Sequence, residues 1–359
     1  EGNSKVYVRG LGDRYSMTSL NGFPIASPNP DNKLIPLTLF PTSVVKNISV
    51  SKVYQPSVFG DYSGAHINVE TKENIGNDYM TFSISTGGKT NTLFSDFYSS
   101  DKGTGKLTYL GMSRYLNLSD KIKGMHSDEF EVYQRSHDPF KTTFSIDKRT
   151  AFPEIGLDFG VGKSWRVGSN KINTLFAVNF NNEYTILNDA YVSTVNAQGV
   201  VRDQYYYNKY SYETTATALA RINYSFRKTD RLSYNIMFVN NTEDDFKERD
   251  GFDAEGIELK GSNTVYHIYS LFNNQLTGIH SFLHESLKGG WQHSYGKTGS
   301  YEPDRRQVMF TKNNDGSLSL FKLNQQETMR YFGELKEDEW NGDLKLTYKL
   351  NEKEQPDFI

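Results

Sequence analysis

The chain has 359 residues, with 40 Lys and Arg against 43 Asp and Glu, and this formal charge of −3 excludes a strongly basic nucleic-acid binder. Only 36% of residues are hydrophobic and mean hydropathy is −0.64, yet 14% are aromatic, too many rings for a disordered chain. Apolar runs do not extend much beyond Ile236-Met237-Phe238-Val239, far short of the roughly 18 residues of a spanning helix, and the lack of cysteine removes disulfides, thiolate metal sites and Cys nucleophiles.

The sequence opens at Glu1 without an initiator Met or an apolar leader, so any secretion signal is expected upstream. Six of the ten prolines precede residue 74. This part reads as short strands and turns: residues 5–9, a bend at Gly10-Leu11-Gly12, residues 18–20 leading into an Asn21-Gly22 turn, then 37–40 and 44–54, where Val45, Ile48, Val50 and Val53 are expected to line a core. Residues 1–76 therefore form a small mixed α/β unit in this reading.

From about Asn77 the pattern alternates with period two, the mark of strands. Ile155, Leu157, Phe159 and Val161 are apolar, whereas Gly156, Asp158 and Gly160 are small or charged. Ala218, Ala220, Ile222, Tyr224 and Phe226 repeat the split against Thr217, Arg221, Asn223 and Ser225, as do Leu232, Tyr234, Ile236 and Phe238. Leu344, Leu346, Tyr348 and Leu350 repeat it once more. Ten strands are predicted: 79–88, 92–100, 106–116, 154–166, 171–184, 212–227, 230–241, 264–276, 286–296 and 328–350. Brief connectors at 101–105, 167–170, 227–230 and 351–357 alternate with long polar ones at 116–153, 185–211, 242–263 and 296–327. Short turns on one rim and long loops on the other point to an outer-membrane β-barrel, in which only the lipid-facing half of each strand is apolar, hence the low hydropathy.

The motif Val8-Arg9-Gly10-Leu11-Gly12-Asp13-Arg14-Tyr15, followed by Leu20-Asn21-Gly22-Phe23-Pro24, resembles the plug domain of TonB-dependent outer-membrane receptors. Phe59-Gly60-Asp61-Tyr62-Ser63-Gly64-Ala65 and Ile67-Asn68-Val69-Glu70-Thr71-Lys72 are similar to that family's closing plug segment, with Ala65 where a second glycine is common. Pro303-Asp304-Arg305 and the long loops look similar to receptors of Bacteroidota. The resemblance implies an all-β membrane barrel (large, antiparallel, transmembrane), with about its first ten strands present in 77–359 and the C-terminal part of a plug, 1–76, inside the lumen. Such walls have about twenty-two strands, so the polypeptide is expected to continue past Ile359. It further implies a receptor that imports a scarce ligand by energised plug rearrangement, in the outer membrane of a Gram-negative bacterium. The partners implied are a TonB-type energising complex, outer-membrane lipids, and a surface lipoprotein or other outer-membrane subunits, with no nucleic acid, cofactor or catalysis. The alternative is a plugged barrel serving as a structural or accessory subunit of an outer-membrane complex.

Phosphate-loop chemistry fails at Gly88-Lys89-Thr90 and Gly296-Lys297-Thr298, where Ser83 and Trp291 replace the first glycine; both are read as strand-end turns. Tyr15 replaces the third glycine of a dinucleotide loop. Lys288 stands where a zinc-protease motif begun by His284-Glu285 needs its second His, and His280 and His284 are placed in a short turn, so no metal is assigned. Arg9 and Arg14 are read as plug anchors to lumen carboxylates, or else as contacts to an anionic ligand. Asn29, Asp31, Asn32 and Lys33 lie in a Pro-rich loop that is either a ligand-binding apex or a rigid turn. Tyr205, Tyr206 and Tyr207 sit in a predicted loop, as ligand contacts or interfacial anchors. Glu243, Asp244, Asp245, Asp250, Asp253 and Glu255 are read as a solvated acidic face in preference to a calcium site. Trp165, Trp291 and Trp340 are candidate headgroup-level residues.

Overall fold

The computed structural model describes residues 13–30, 32–54, 58–100, 118–140, 142–227, 229–283, 286–323 and 327–349. The protein is mostly β, about 65% strand and 6% helix, and none of its described helices is long and apolar enough to cross a membrane.

The N-terminal region forms a four-stranded sheet from β1 (Met17–Leu20), β2 (Phe23–Pro24), β3 (Val45–Ser51) and β4 (His66–Thr71), in the order β2-β1-β4-β3. β1 runs parallel to β4, and β2 and β3 are antiparallel to their neighbours. Asn21 and Gly22 both take positive φ, 52° and 92°, which gives the tight hairpin expected of an Asn-Gly pair. The expected α/β character is not found among the described residues here, whose helical elements are 3-10 turns at Asp13–Tyr15 and Leu37–Leu39. The predicted core run is also corrected. Val45 packs against the core, but Ile48, Val50 and Val53 are exposed, because β3 is an edge strand.

The large antiparallel sheet has nine strands: β5 (Tyr79–Gly87), β8 (Glu154–Val167), β9 (Asn170–Val195), β10 (Val201–Phe226), β11 (Asp230–Phe252), β12 (Glu258–Phe282), β13 (Leu287–Lys312), β14 (Leu318–Leu320) and β15 (Met329–Tyr348). Sequential neighbours pair from β8 to β13, β5 pairs with β8, and β14 and β15 both pair with β13. β6 (Asp96–Ser100) and β7 (Ile146–Thr150) form a separate ribbon, so the strand predicted at 92–100 does not join this sheet. The strand predicted at 106–116 lies outside the described residues. Two short helices, α1 (Asp120–Lys123) and α2 (Ser127–Gln134), precede β7.

Most of the predicted long loops are strand. Residues 185–195 and 201–211, 242–252 and 258–263, and 297–312 continue the ladders as hairpins that project past one rim. Three tips share one design: an Asn or Asp, two residues, then a Gly at positive φ, in Asn196 to Gly199, Asp253 to Gly256 and Asn313 to Gly316. In each, the Gly N–H donates to the first residue's carbonyl at 2.9 Å, and φ near +80° is where glycine is unstrained. The opposite rim carries only brief turns after β8, β10 and β12.

Register puts the alternating apolar residues of every long strand on one face. Phe82, Phe159, Val178, Ala218, Phe238 and Phe272 lie in cross-strand line, as do Ile172, Tyr224 and Leu232. Trp291 and Leu344 pair further along the same face. Many of these side chains are open to the surroundings, among them Met80, Phe82, Ile84, Phe176, Ile222, Leu344 and Leu346. The apolar band on β10 runs from Ala216 to Tyr224, roughly 30 Å at about 3.4 Å per residue. The opposite face carries Asn, Thr, Ser and Gln, and on it rests the N-terminal sheet.

Candidate functional site

The two sheets meet through one apolar cluster and a set of polar clamps. Leu20, Ile25, Ile35, Leu39, Phe40, Val44 and Val69 pack against Leu175, Ala177, Leu219, Met237, Val239 and Leu271 of the large sheet. The polar face therefore has an oily strip where it is covered, and the contact is not polar alone as a water-filled lumen would suggest. Beside it, Gln275 donates from Nε2 to the Leu20 carbonyl and accepts from Asn21 Nδ2, both at 2.8 Å. Asn74 Nδ2 donates to the carbonyls of Lys163 and Thr174 at 3.1 and 3.2 Å.

Glu73 is the ionic centre of this contact. Arg231 Nη2 lies 2.5 Å and Arg221 Nη2 3.4 Å from its Oε2, with Lys46 3.3 Å from Oε1. Burial alone would raise this carboxyl's pKa, but the Arg231 hydrogen bond and the charges of Arg221 and Arg231 overcome it, and the net direction is down. His66, bonded to Ser19 Oγ at 2.7 Å, is pushed below its ordinary 6.5 by burial. Both groups hold fewer protons folded than unfolded, so the N-terminal sheet is expected to lose stability as pH falls, first below 6.5 through His66 and then below 4.5 through Glu73. Protease protection of residues 13–76 should decline from pH 8 to pH 5 through His66 and further toward pH 3 through Glu73; a profile flat across both ranges would remove both groups from the account.

A cavity of about 850 Å³ opens between the N-terminal sheet and β15. Arg14, Asn29, Asn32 and Lys33 line it, together with Asp13, Phe59 and Asp61, and Glu337 and Glu339 face them from β15. Lys33 is fixed there, since its Nζ bonds Asp61 at 3.0 Å and its N–H donates to Asp13 Oδ2 at 2.9 Å. Four of the singled-out residues thus share one concave surface of mixed charge, suited to a polar ligand. Arg9 and Asp31 lie outside the described residues, as does His284. Among the described residues Arg14 makes no ion pair, and the ionic anchoring between sheets runs instead from Glu73 to Arg221 and Arg231.

The three tyrosines do not form a loop or a common surface. They belong to β10, whose alternation sets Tyr206 on the opposite face from Tyr205 and Tyr207: Tyr205 is buried with Leu259, Met309 and Phe321, Tyr206 is exposed beside Tyr191, and Tyr207 receives the Lys247 ammonium 3.9 Å from its ring centre. Gly296-Lys297-Thr298 is mid-strand in β13, and His280 lies within β12, accepting from Trp291 Nε1 at 3.1 Å. The acidic run is not a solvated loop either, because most of it belongs to β11. Asp244 is buried near Arg149, which stacks over Phe97 and Tyr212, and Asp245 pairs with Lys209 at 2.8 Å. No group of three or more His, Asp or Glu among the described residues is placed to hold a metal ion.

Sequence reasoning missed a second buried ionic knot. Asp304 lies 3.1 Å from Arg330 and 3.4 Å from Arg306, and Arg330 stacks on Phe140 and Phe144, tying these two rings to the large sheet. Its only local signal is three charges in Asp304-Arg305-Arg306. No family model matches the chain, and no curated protein matches it.

Proposed function

We propose that the chain is part of a TonB-dependent outer-membrane receptor, in which the large sheet is barrel wall, the N-terminal sheet is plug, and ligand enters the cavity at Asn29, Asn32 and Lys33. The observation that carries this reading is the predominantly apolar band across β5, β8 to β13 and β15, backed by a polar face that the N-terminal sheet covers. At a strand tilt near 40°, the band on β10 would stand roughly 23 Å high, close to the height of a lipid-facing belt. Unpaired strand edges are not tolerated in lipid, so further strands would have to join β5 and β15. A plug held by one oily strip, Glu73 and a few amide bonds can be displaced without unfolding the wall.

The test is binding of the native polypeptide, extracted from outer membranes, to the periplasmic domain of the host's TonB-type protein. Saturable binding that strengthens when ligand occupies the cavity is the expected result. Outer-membrane residence with no such binding would instead favour the accessory-subunit role.

A further inference from the structure

Near the rim that bears the long hairpins, the apolar band gives way to a notch. Three cross-strand rungs define it. Phe238, Phe272 and Lys297 form the first, Ser270, Gly299 and Lys336 the second, and Ile268, Tyr301 and Glu334 the third. The middle rung is small at Ser270 and Gly299 where the neighbouring rungs are large, which leaves a notch of about 480 Å³ between the Phe238 and Phe272 rings on one side and Ile268 and Tyr301 on the other. A Cβ at Gly299 would stand 2.9 Å from Ser270 Oγ, a hydroxyl that can rotate away, so a larger side chain here would occupy the notch.

Lys297 is the first charge met on this face of β13 above Tyr295. Lys336 is its diagonal neighbour across β15, since Lys297 pairs with Asp338. Asp338 already accepts from Tyr295 Oη at 2.6 Å, and among the described residues no carboxylate lies within ion-pair distance of Lys297. Lys336 pairs with Glu334 at 2.6 Å, but both side chains are about half exposed or more, and such pairs are weak enough to exchange for a stronger anion. Two ammonium groups thus flank an oily notch at the height where hydrocarbon gives way to headgroups.

Resting on the reading of this face as lipid-facing, we propose that the notch is a binding site for a membrane lipid with a phosphate monoester headgroup, its acyl chain lying along Phe272 and Tyr301 and its phosphate bridging Lys297 and Lys336. A bulk lipid would coat the band without preference for headgroup, whereas this site selects one.

The probe is dioctanoyl phosphatidic acid with brominated tails, titrated into the detergent-solubilised native protein and read by quenching of Trp340, which sits beside Tyr295 at 4.4 Å between ring centres. Phosphatidic acid is expected to quench at lower concentration than the matching phosphatidylcholine. The double variant Lys297→Gln, Lys336→Gln should weaken phosphatidic acid by about tenfold or more, the scale of charge-assisted bonds to phosphate, and leave phosphatidylcholine unchanged. Gly299→Leu, which fills the notch and keeps both lysines, should weaken both lipids. Equal binding of the two lipids, or a double variant like wild type, would overturn the site. Competition by inorganic phosphate at the same concentration would reassign it to a free anion and overturn the lipid. Failure of the wild-type protein to enter vesicles would defeat the membrane reading itself, an outcome distinct from the others.

Discussion

Arginine in place of Ala220 is expected to prevent stable membrane insertion. Ala220 stands at the middle of the apolar band, between Phe176 of β9 and Ile236 of β11 in the cross-strand line. A cation there, with lipid as its only surroundings, costs about 2 to 4 kcal/mol at the bilayer midplane, a large share of a folded protein's net stability. The same substitution at Gln198, in the turn at the tip of the β9–β10 hairpin, should be neutral. Heat-modifiable migration after reconstitution reads the effect. Equal insertion by both variants would mean that this face does not meet hydrocarbon.

The second large effect is expected from Glu73→Ala. Arg221 and Arg231 would then face each other without the carboxylate that joins them. Removing one partner of a buried ion pair costs about 3 to 5 kcal/mol, and less here because the Arg231 side chain is 38% exposed. The apolar cluster around Leu20 and Leu219 remains, so the N-terminal sheet should loosen before the large sheet does. Limited proteolysis should cut within residues 13–76 while β8 to β13 stay intact. A triple variant with leucine at Glu73, Arg221 and Arg231 should restore protection, since it leaves no unpaired charge. Unchanged protection in Glu73→Ala would show that the apolar strip alone holds the contact.

The strands at 79–87, 154–167 and 230–241 were legible because one face is apolar and the other polar, and that alternation is written locally. Their extensions were not. Beyond Thr242 or Thr185 both faces carry Tyr, Asp, Glu and Lys, and what keeps the chain extended is pairing with a neighbour, which no local pattern reports. The signal that was present lay at the tips, where Asn196 and Gly199, Asp253 and Gly256, and Asn313 and Gly316 mark turns too tight for the long loops read there. The run at Val45 to Val53 misled for a related reason: β-branched residues suit a core strand and an edge strand alike, and only the sheet order decides.

The candidate site divides in the same way. Asn29, Asn32 and Lys33 are close in sequence, so a Pro-rich turn was enough to group them. The Glu73 clamp spans 148 residues to Arg221 and 158 to Arg231, and only folding brings it together. Arg221 still carried a hint, as a charge at a position of β10 whose neighbours on that face are Leu219 and Asn223 and which therefore needed a partner.

The most direct measurement of the central claim is a nitroxide scan of residues 232–239 on β11, one cysteine at a time, in protein reconstituted into bilayers. None of these 359 residues is cysteine, so each label is unique within them. Oxygen accessibility should alternate with period two, high at Leu232, Tyr234, Ile236 and Phe238 and low at Ser233, Asn235, Met237 and Val239. Accessibility that is uniform, or highest at the second set, would contradict a lipid-facing band and with it the barrel-wall reading.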